Sequence, residues 1–514
     1  MLALSAFPRF AAREEITMSD SSAGASSTTS VDTRPVLKVP DPLPLTVGGL
    51  IAAVGPQAIN FGISIGGGEA YFLPNVAARG AFGFHWLLIV SVIVETALVY
   101  ECIKYSCCTG RSFFAGTNEL APRGFWPWFW AVAAILTFLW PAWMAGAVIA
   151  AAKFTGLTTQ TLFPASTLPP QYLWAVIALL LVLVVFYFSD RTYTFLARFF
   201  EVIMVANIVL VLAITVIVAK PSDYLTVLAA YCGVKFFTDG VSGLSALDIA
   251  ALYNQPGGSL MWVSFWVVAA GWGMGRHAGQ VTGPLRPPEQ ITAEELRWDT
   301  SDPAEVAKMK QWVKVGGWSL IIWWAIIGGL IMTYLYSVAG YAYLHDEFLR
   351  TGNIPKGVEV PLQMATIAQA VLGQTAGWLM LLVVMVTLYD AQFPFYDTMV
   401  GRTTTDAIAV TTELEKKRPY RFYYFVVVTV AVGAGFYLVL QKEPLIVWMM
   451  IATAVVVYRA IGSVQIMLIN KRRLPPEFHT SKLNAALLWF SFVTGLISVG
   501  YFVITELPKR LAGG

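Results

Sequence analysis

Residues 50–78 form an apolar run that is nonetheless interrupted by Gly66-Gly67-Gly68 and a carboxylate, Glu69. The run is long enough to cross a bilayer, which takes roughly 20 apolar residues. Three glycines in a continuous helix cost about 3 kcal/mol relative to alanine, and an ionised Glu at the bilayer centre costs about 3 kcal/mol more. An ordinary anchor helix has no use for either. The stretch therefore predicts a helix broken at Gly66, Gly67 and Gly68, with freed carbonyls, freed amides and Glu69 turned to a buried polar site instead of lipid.

The rest of the chain fits that setting. Hydrophobic residues make up 57% of it and charged residues 13%, and the mean hydropathy is +0.64. Soluble proteins carry about 25% charged residues, so the lipid bilayer is an expected partner. The net charge of +3 gives no reason to expect nucleic acid. Four cysteines, Cys102, Cys107, Cys108 and Cys232, show no metal-ligand spacing, and no cofactor is expected. Gly271-Trp272-Gly273-Met274-Gly275 has neither the preceding strand nor the closing lysine of a nucleotide loop. No Ser/His/Asp or metal-binding constellation marks an enzyme, and with no ATP motif, any active transport would draw on an ion gradient.

Residues 1–46, with a Ser/Thr/Ala tract and then Pro35, Pro40, Pro42 and Pro44, read as a disordered cytoplasmic tail. Arg9 and Arg13 are not followed by the apolar core of a signal peptide. Eleven apolar spans follow, over residues 47–78, 84–106, 127–151, 172–188, 195–219, 243–268, 316–341, 371–389, 422–440, 445–469 and 485–504. The expected fold class is an all-α integral membrane protein with about eleven transmembrane helices. Lys and Arg concentrate in the segments that share a side with the N-terminus, among them 276–314, 402–421 and 471–482. The positive-inside rule then puts the N-terminus in the cytoplasm and the C-terminus outside, in a multi-pass protein of the cell membrane. Residues 293–314 read as a solvated helix, and 403–420 as a polar loop.

Span six carries a second interruption, Asn254-Gln255-Pro256-Gly257-Gly258. Proline removes an amide donor, and paired glycines lower the cost of unwinding. A kinked structural helix would look similar taken alone. Two interruptions five spans apart instead suggest inverted repeats around a midplane site, namely residues 47–219 and 220–470, with 471–514 as an added helix and short tail. The site so defined offers Ser64, Gly66, Gly67, Gly68 and Glu69 from the first interruption, and Asn254, Gln255, Pro256 and Gly257 from the second. Glu95, Asp248, Asp390 and Arg459 lie within or at the ends of apolar spans and are coupling candidates. For Arg459 the alternatives are a structural ion pair with Glu95 or Asp390, and a fixed cation beside a carboxylate that gains and loses a proton.

Gly55-Pro56, then Ile63 to Glu69, then Gly80-Ala81-Phe82-Gly83-Phe84-His85-Trp86 and Thr109-Gly110-Arg111, resemble the Nramp family of proton-coupled divalent-metal transporters. The resemblance is specific over roughly residues 47–115. It implies a LeuT-like five-plus-five inverted repeat with helices one and six broken, transport of a divalent cation by alternating access, and H+ as the coupling ion. The family's first break reads Asp-Pro-Gly-Asn, and its sixth-helix motif Met-Pro-His. This chain has Gly66-Gly67-Gly68-Glu69 and Gln255-Pro256-Gly257 instead. Without a thioether, the remaining oxygen donors suit a hard cation such as magnesium or manganese better than a soft transition metal. The alternative is a symporter of a small organic or anionic solute, held by the amide end of a half-helix.

Overall fold

The computed structural model describes residues 34–66, 69–139, 144–255, 257, 260–287, 289, 291–353, 365–366, 368–370, 372–440, 445–501, 503–504 and 508. The expectations for the tail before residue 34, for Gly67, Gly68 and Pro256, and for the Glu69 side chain lie outside the described residues.

The chain is mostly helical. The first span is built from α1 (Val47–Ala52), α2 (Gly55–Gly66) and α3 (Glu69–Ala78). Then come α4 (Leu87–Thr109), α5 (Phe125–Phe138), α6 (Ala145–Thr155), α7 (Tyr172–Phe188) and α8 (Thr192–Val218). The sixth span comprises α9 (Ala246–Asn254) and α10 (Leu260–Ala269). The remainder are α11 (Pro303–Thr351), α12 (Gln374–Thr411), α13 (Tyr420–Leu438), α14 (Leu445–Arg473) and α15 (Lys482–Tyr501). By length and apolarity alone, α8, α11, α12, α13 and α15 can cross a membrane.

Local chemistry explains several boundaries. The N–H of Ala53 closes α1 on the Gly49 carbonyl at 3.0 Å. The chain then restarts at Gly55-Pro56, where a proline in the first turn of a helix loses no hydrogen bond. Pro74 sits inside α3, and a Cβ on Gly340 would come within 2.4 Å of its Cα. That glycine lets α3 and α11 pack backbone to backbone.

Three expectations are corrected. The polar stretch before span seven is not a separate solvated helix. Asp302 caps α11 by accepting from the Ala304 N–H at 2.8 Å, and the helix runs unbroken from Pro303 through the span. Residues 403–411 are helix, not loop, because α12 continues past Asp390 through a widened stretch at Phe395–Arg402. Its polarity is absorbed internally. Asp397 accepts from Arg402, Tyr424 and Thr398, and Asp406 accepts from Ser112 and Tyr420, all of them buried. Finally, the chain is not purely helical, since β1 (Val36–Leu37) pairs in parallel with β2 (Arg297–Trp298).

At the same end of the bundle, Glu101 of α4 is fully buried and accepts four hydrogen bonds. They come from Lys104 at 2.7 Å, Asn470 at 2.8 Å, Thr480 at 2.8 Å and Asn484 at 2.9 Å. This carboxylate ties α14 and the start of α15 to α4. Breaking a buried pair from one side costs about 3–5 kcal/mol. Glu101→Gln is therefore expected to lower the melting temperature of the detergent-solubilised protein by several degrees, whereas an unchanged melting temperature would show that the cluster carries no stability.

Candidate functional site

Around the first interruption, α2 presents polar groups to its neighbours. Ser64 Oγ donates to the Asn60 carbonyl at 2.8 Å and accepts from the Trp324 indole N–H at 2.8 Å. The second bond holds α2 against α11. The Ser64 hydroxyl is thus engaged both within its own helix and by α11. Gln57, one helical turn beyond Ala53, is fully buried, and neither its amide nitrogen nor its amide oxygen has a hydrogen-bond partner.

Facing α2 is the middle of α12. Asp390 is fully buried, and among the described residues no other side chain meets either carboxylate oxygen; the side chain of Gln392, two residues on, is in the same condition. The distance to α2 is short, for a Cβ built on Gly62 would lie 3.3 Å from Asp390 Oδ2. Gly62 is one turn before Gly66, so Asp390 meets α2 just ahead of the glycine triplet. Thr387, one turn earlier on α12, accepts from the Asn207 amide at 3.2 Å, and Asn207 accepts from Tyr336 at 2.9 Å. This bridge joins α8, α11 and α12 and fixes the height of Asp390. Asp390 is therefore mid-helix and deep, not at a helix end as the span boundary at residue 389 implied.

Helix six is interrupted where the sequence predicts. α9 ends at Asn254, and Gln255 is extended, with φ −91° and ψ 145°. The chain re-enters helix through Leu260, whose φ of 49° is strained for a branched, bulky side chain. Asn254 is 9% exposed and its Oδ1 has no partner. The N–H of Gly257 turns back to Gln255 Oε1 at 3.4 Å.

Arg459 of α14 is placed at this interruption. Its guanidinium donates to the Tyr253 carbonyl at 3.1 Å and to Ser91 Oγ at 2.9 Å, and lies 4.2 Å from the Tyr253 ring centroid. Tyr253 is the next-to-last residue of α9, where helical carbonyls lose their partners. The guanidinium thus caps the half-helix. The expected ion pair with Glu95 or Asp390 is corrected, since among the described residues no ion pair joins Arg459 to either. Glu95 is fully buried one turn after Ser91 on α4.

Asp248 is brought to a different place. Both its oxygens meet Arg79, at 2.9 and 3.0 Å, and it accepts from the Ser245 N–H at 2.8 Å as part of a capping box. It locks the end of α3 to the start of α9. The carboxylate joins these two helix ends.

No family model matches the chain, and no curated protein matches it by sequence. Solved structures match by fold. A mutant of the Eremococcus coleocola manganese transporter superposes with a TM-score of 0.54 at 12% identity, over 92% of each chain. A second mutant of that transporter gives 0.53, also at 12% identity and 92% of each chain. Mhp1, a nucleobase-cation-symport-1 family transporter with bromovinylhydantoin bound, matches more loosely, with a TM-score of 0.47 at 13% identity over 87% of this chain and 89% of that one. The chain shares the fold of these manganese-transporter structures. At such identities the likeness is one of architecture alone.

Within this transporter fold the structure joins Asp390 to α2 and Arg459 to α9, and separates Asp248 from both. Gln57 was the residue missed. A carboxamide directly after Gly55-Pro56 in an apolar span was the available signal, since such a group is costly in a membrane without a role. Among the described residues no cluster of His, Cys, Asp and Glu is arranged to hold a metal ion.

The closeness of Asp390 to α2 depends on Gly62. A Cβ there would also lie 2.1 Å from the Phe200 ring. Gly62→Ala is expected to destabilise the protein by about 1–3 kcal/mol through overpacking, read as a lowered melting temperature. Adding Phe200→Leu should recover most of the loss; no recovery would mean that the strain lies elsewhere.

Proposed function

We propose that the protein is a secondary active transporter that moves a divalent cation, magnesium or manganese before softer transition metals, by alternating access between its two interrupted helices. The observation that carries the transport reading is Asp390. A fully buried carboxylate that meets no other side chain among the described residues, facing α2 one turn before the glycine triplet, is what a group that takes up and releases a cation requires. Here it is the coupling residue, with H+ as the coupling ion. The substrate sits one turn further on, with Glu69 as the acidic ligand and Asn254, Gln255 and freed carbonyls near Gly66 and Gly257 as neutral oxygen donors. Magnesium and manganese suit such a set because they accept oxygen ligands and keep part of their water. The N-terminus is cytoplasmic in this reading, and residues 47–219 and 220–470 are the repeats that rock against each other.

One observation favours the second reading, a small organic or anionic solute. Among the described residues, the Arg459 guanidinium at the interruption of helix six has a hydroxyl, a carbonyl and an aromatic face as partners and no carboxylate. That leaves donors for a carboxylate, which an Arg fork binds well.

Uptake into proteoliposomes separates the two. Magnesium or manganese uptake driven by an inward proton gradient is expected, and failure of magnesium, manganese and calcium alike to enter or to compete would remove the cation reading. Glu69→Gln is expected to reduce uptake at least tenfold; normal transport in that variant would place the substrate elsewhere. Asp390→Asn should leave substrate binding measurable while abolishing the dependence of uptake on the proton gradient, and a retained dependence would return Asp390 to a structural role. Arg459→Gln tests the fixed-cation role in the same assay, with an altered proton dependence expected.

A further inference from the structure

The connection between α6 and α7, residues 156–171, is built unlike a loop that meets water. Lys153 is the only charged residue from 124 to 189, so the connection itself carries no charge. Its large apolar side chains, Leu157, Leu162, Phe163 and Leu168, are 39%, 54%, 60% and 36% exposed. Its polar groups turn inward instead. Thr158 and Thr161 form a capping box on the single helical turn Thr159–Leu162. Thr159 donates from its N–H to the Pro170 carbonyl at 2.8 Å and from its hydroxyl to the Pro169 carbonyl at 2.8 Å. The Gln160 amide donates to the Leu168 carbonyl at 2.6 Å, and the Ser166 N–H to the Phe163 carbonyl at 2.9 Å. From the first turn of α7, the Trp174 indole donates to the Leu157 carbonyl at 2.9 Å. Pro164, Pro169 and Pro170 bring no N–H that needs a partner. Water would satisfy such carbonyls without help, whereas hydrocarbon requires partners from the protein.

Behind the tip lies a cleft of about 650 Å³, lined chiefly by Leu162, Phe163, Leu168, Tyr172, Leu173 and Val176. Small-ligand pockets hold roughly 300–1,000 Å³. The lining offers no charged group to a phosphate or a carboxylate. Of its hydroxyls, that of Thr159 is spent on the Pro169 carbonyl, and Ser166 Oγ accepts from the Leu168 N–H at 3.2 Å. Two walls, Leu173 and Val176, belong to the outer face of α7. Ile177 and Leu180 follow them one turn later, and the stripe continues through Leu181 and Val184, with all four between 41% and 50% exposed. In a multi-pass protein such a stripe faces lipid. Loop tip, cleft and α7 thus form one continuous apolar surface.

We propose that the α6–α7 connection is seated in the membrane, with Leu162 and Phe163 inside the leaflet at that end of the bundle, and that its cleft holds one acyl chain of a phospholipid. Lipid fits better than a protein partner, because the surface continues the lipid-facing stripe of α7 and lacks the polar groups that fix a protein interface. The proposal goes beyond the transport reading and does not depend on which solute moves.

The test uses full-length protein with Cys232→Ser, which removes the exposed thiol. Phe163→Cys is labelled with a fluorophore, and single copies are placed in phosphatidylcholine nanodiscs. A nitroxide midway along the acyl chain is expected to quench this label at least threefold more than aqueous iodide does. A label on Glu477→Cys, at an exposed position between α14 and α15, should show the reverse order. Phosphatidylcholine with a diazirine in its acyl chain should crosslink within residues 168–176, and Val176→Trp, which fills the cleft, should cut that crosslinking at least fivefold without changing the quenching at 163. Leu173→Trp is read in the same way should Val176→Trp lower the melting temperature. Iodide quenching that exceeds nitroxide quenching at 163, or a disulfide joining two Phe163→Cys copies in proteoliposomes, overturns the seated loop. Crosslinking that neither tryptophan reduces overturns the acyl-chain site.

Discussion

A backbone carbonyl or amide left unpaired in hydrocarbon costs several kcal/mol, and the arrangement of this protein follows from meeting that cost wherever a helix stops. At the end of α9 the lost partner of the Tyr253 carbonyl is replaced by Arg459, brought from α14. The same guanidinium reaches Ser91 on α4, so one side chain joins three helices at the interruption. At the start of the first span, the carbonyls of Leu50 and Ala53 are met by Trp323 and Ser319 of α11. At these two discontinuities a donor on another helix answers the freed carbonyl.

The buried polar groups divide into two kinds. Glu101, Asp397 and Asp406 accept several hydrogen bonds each and bind helices together. Asp248 belongs with them, clasped by Arg79 at the other end of the bundle. Asp390, Gln57 and Gln392 are equally buried, and among the described residues no other side chain meets their polar atoms. A satisfied carboxylate gains nothing from a transient cation, while an unsatisfied one lowers its energy by holding one. That contrast, and not depth in the membrane alone, separates a coupling candidate from an anchor.

The peptide ahead of α1 adds a different kind of contact. Its seat combines backbone hydrogen bonds with Val39 in the core and Leu37 and Leu43 packed against it, next to helices packed through close approaches such as Gly340 on Pro74. α3 is packed face to face on α11, while α1 is held by a few polar bonds.

Much of this was legible in the chain of residues. Hydropathy set the class and most spans, because a bilayer demands long apolar runs; Gln255-Pro256-Gly257 marked the helix-six interruption, because proline and glycine act on the local backbone. The continuation of α12 through residues 403–411 was not legible, since its threonines and Asp406 read as solvated until Ser112 and Tyr420 are seen to satisfy them from distant parts of the chain. The roles of Asp248, Asp390 and Arg459 were equally out of reach. All three are charges in or beside apolar spans, and composition cannot tell them apart. The sequence by itself determined a multi-pass helical protein with a polar interruption in helix six. Only the tertiary structure decided which charges are spent and which are free, because a hydrogen bond between residues some 170 to 370 positions apart leaves no local pattern to read.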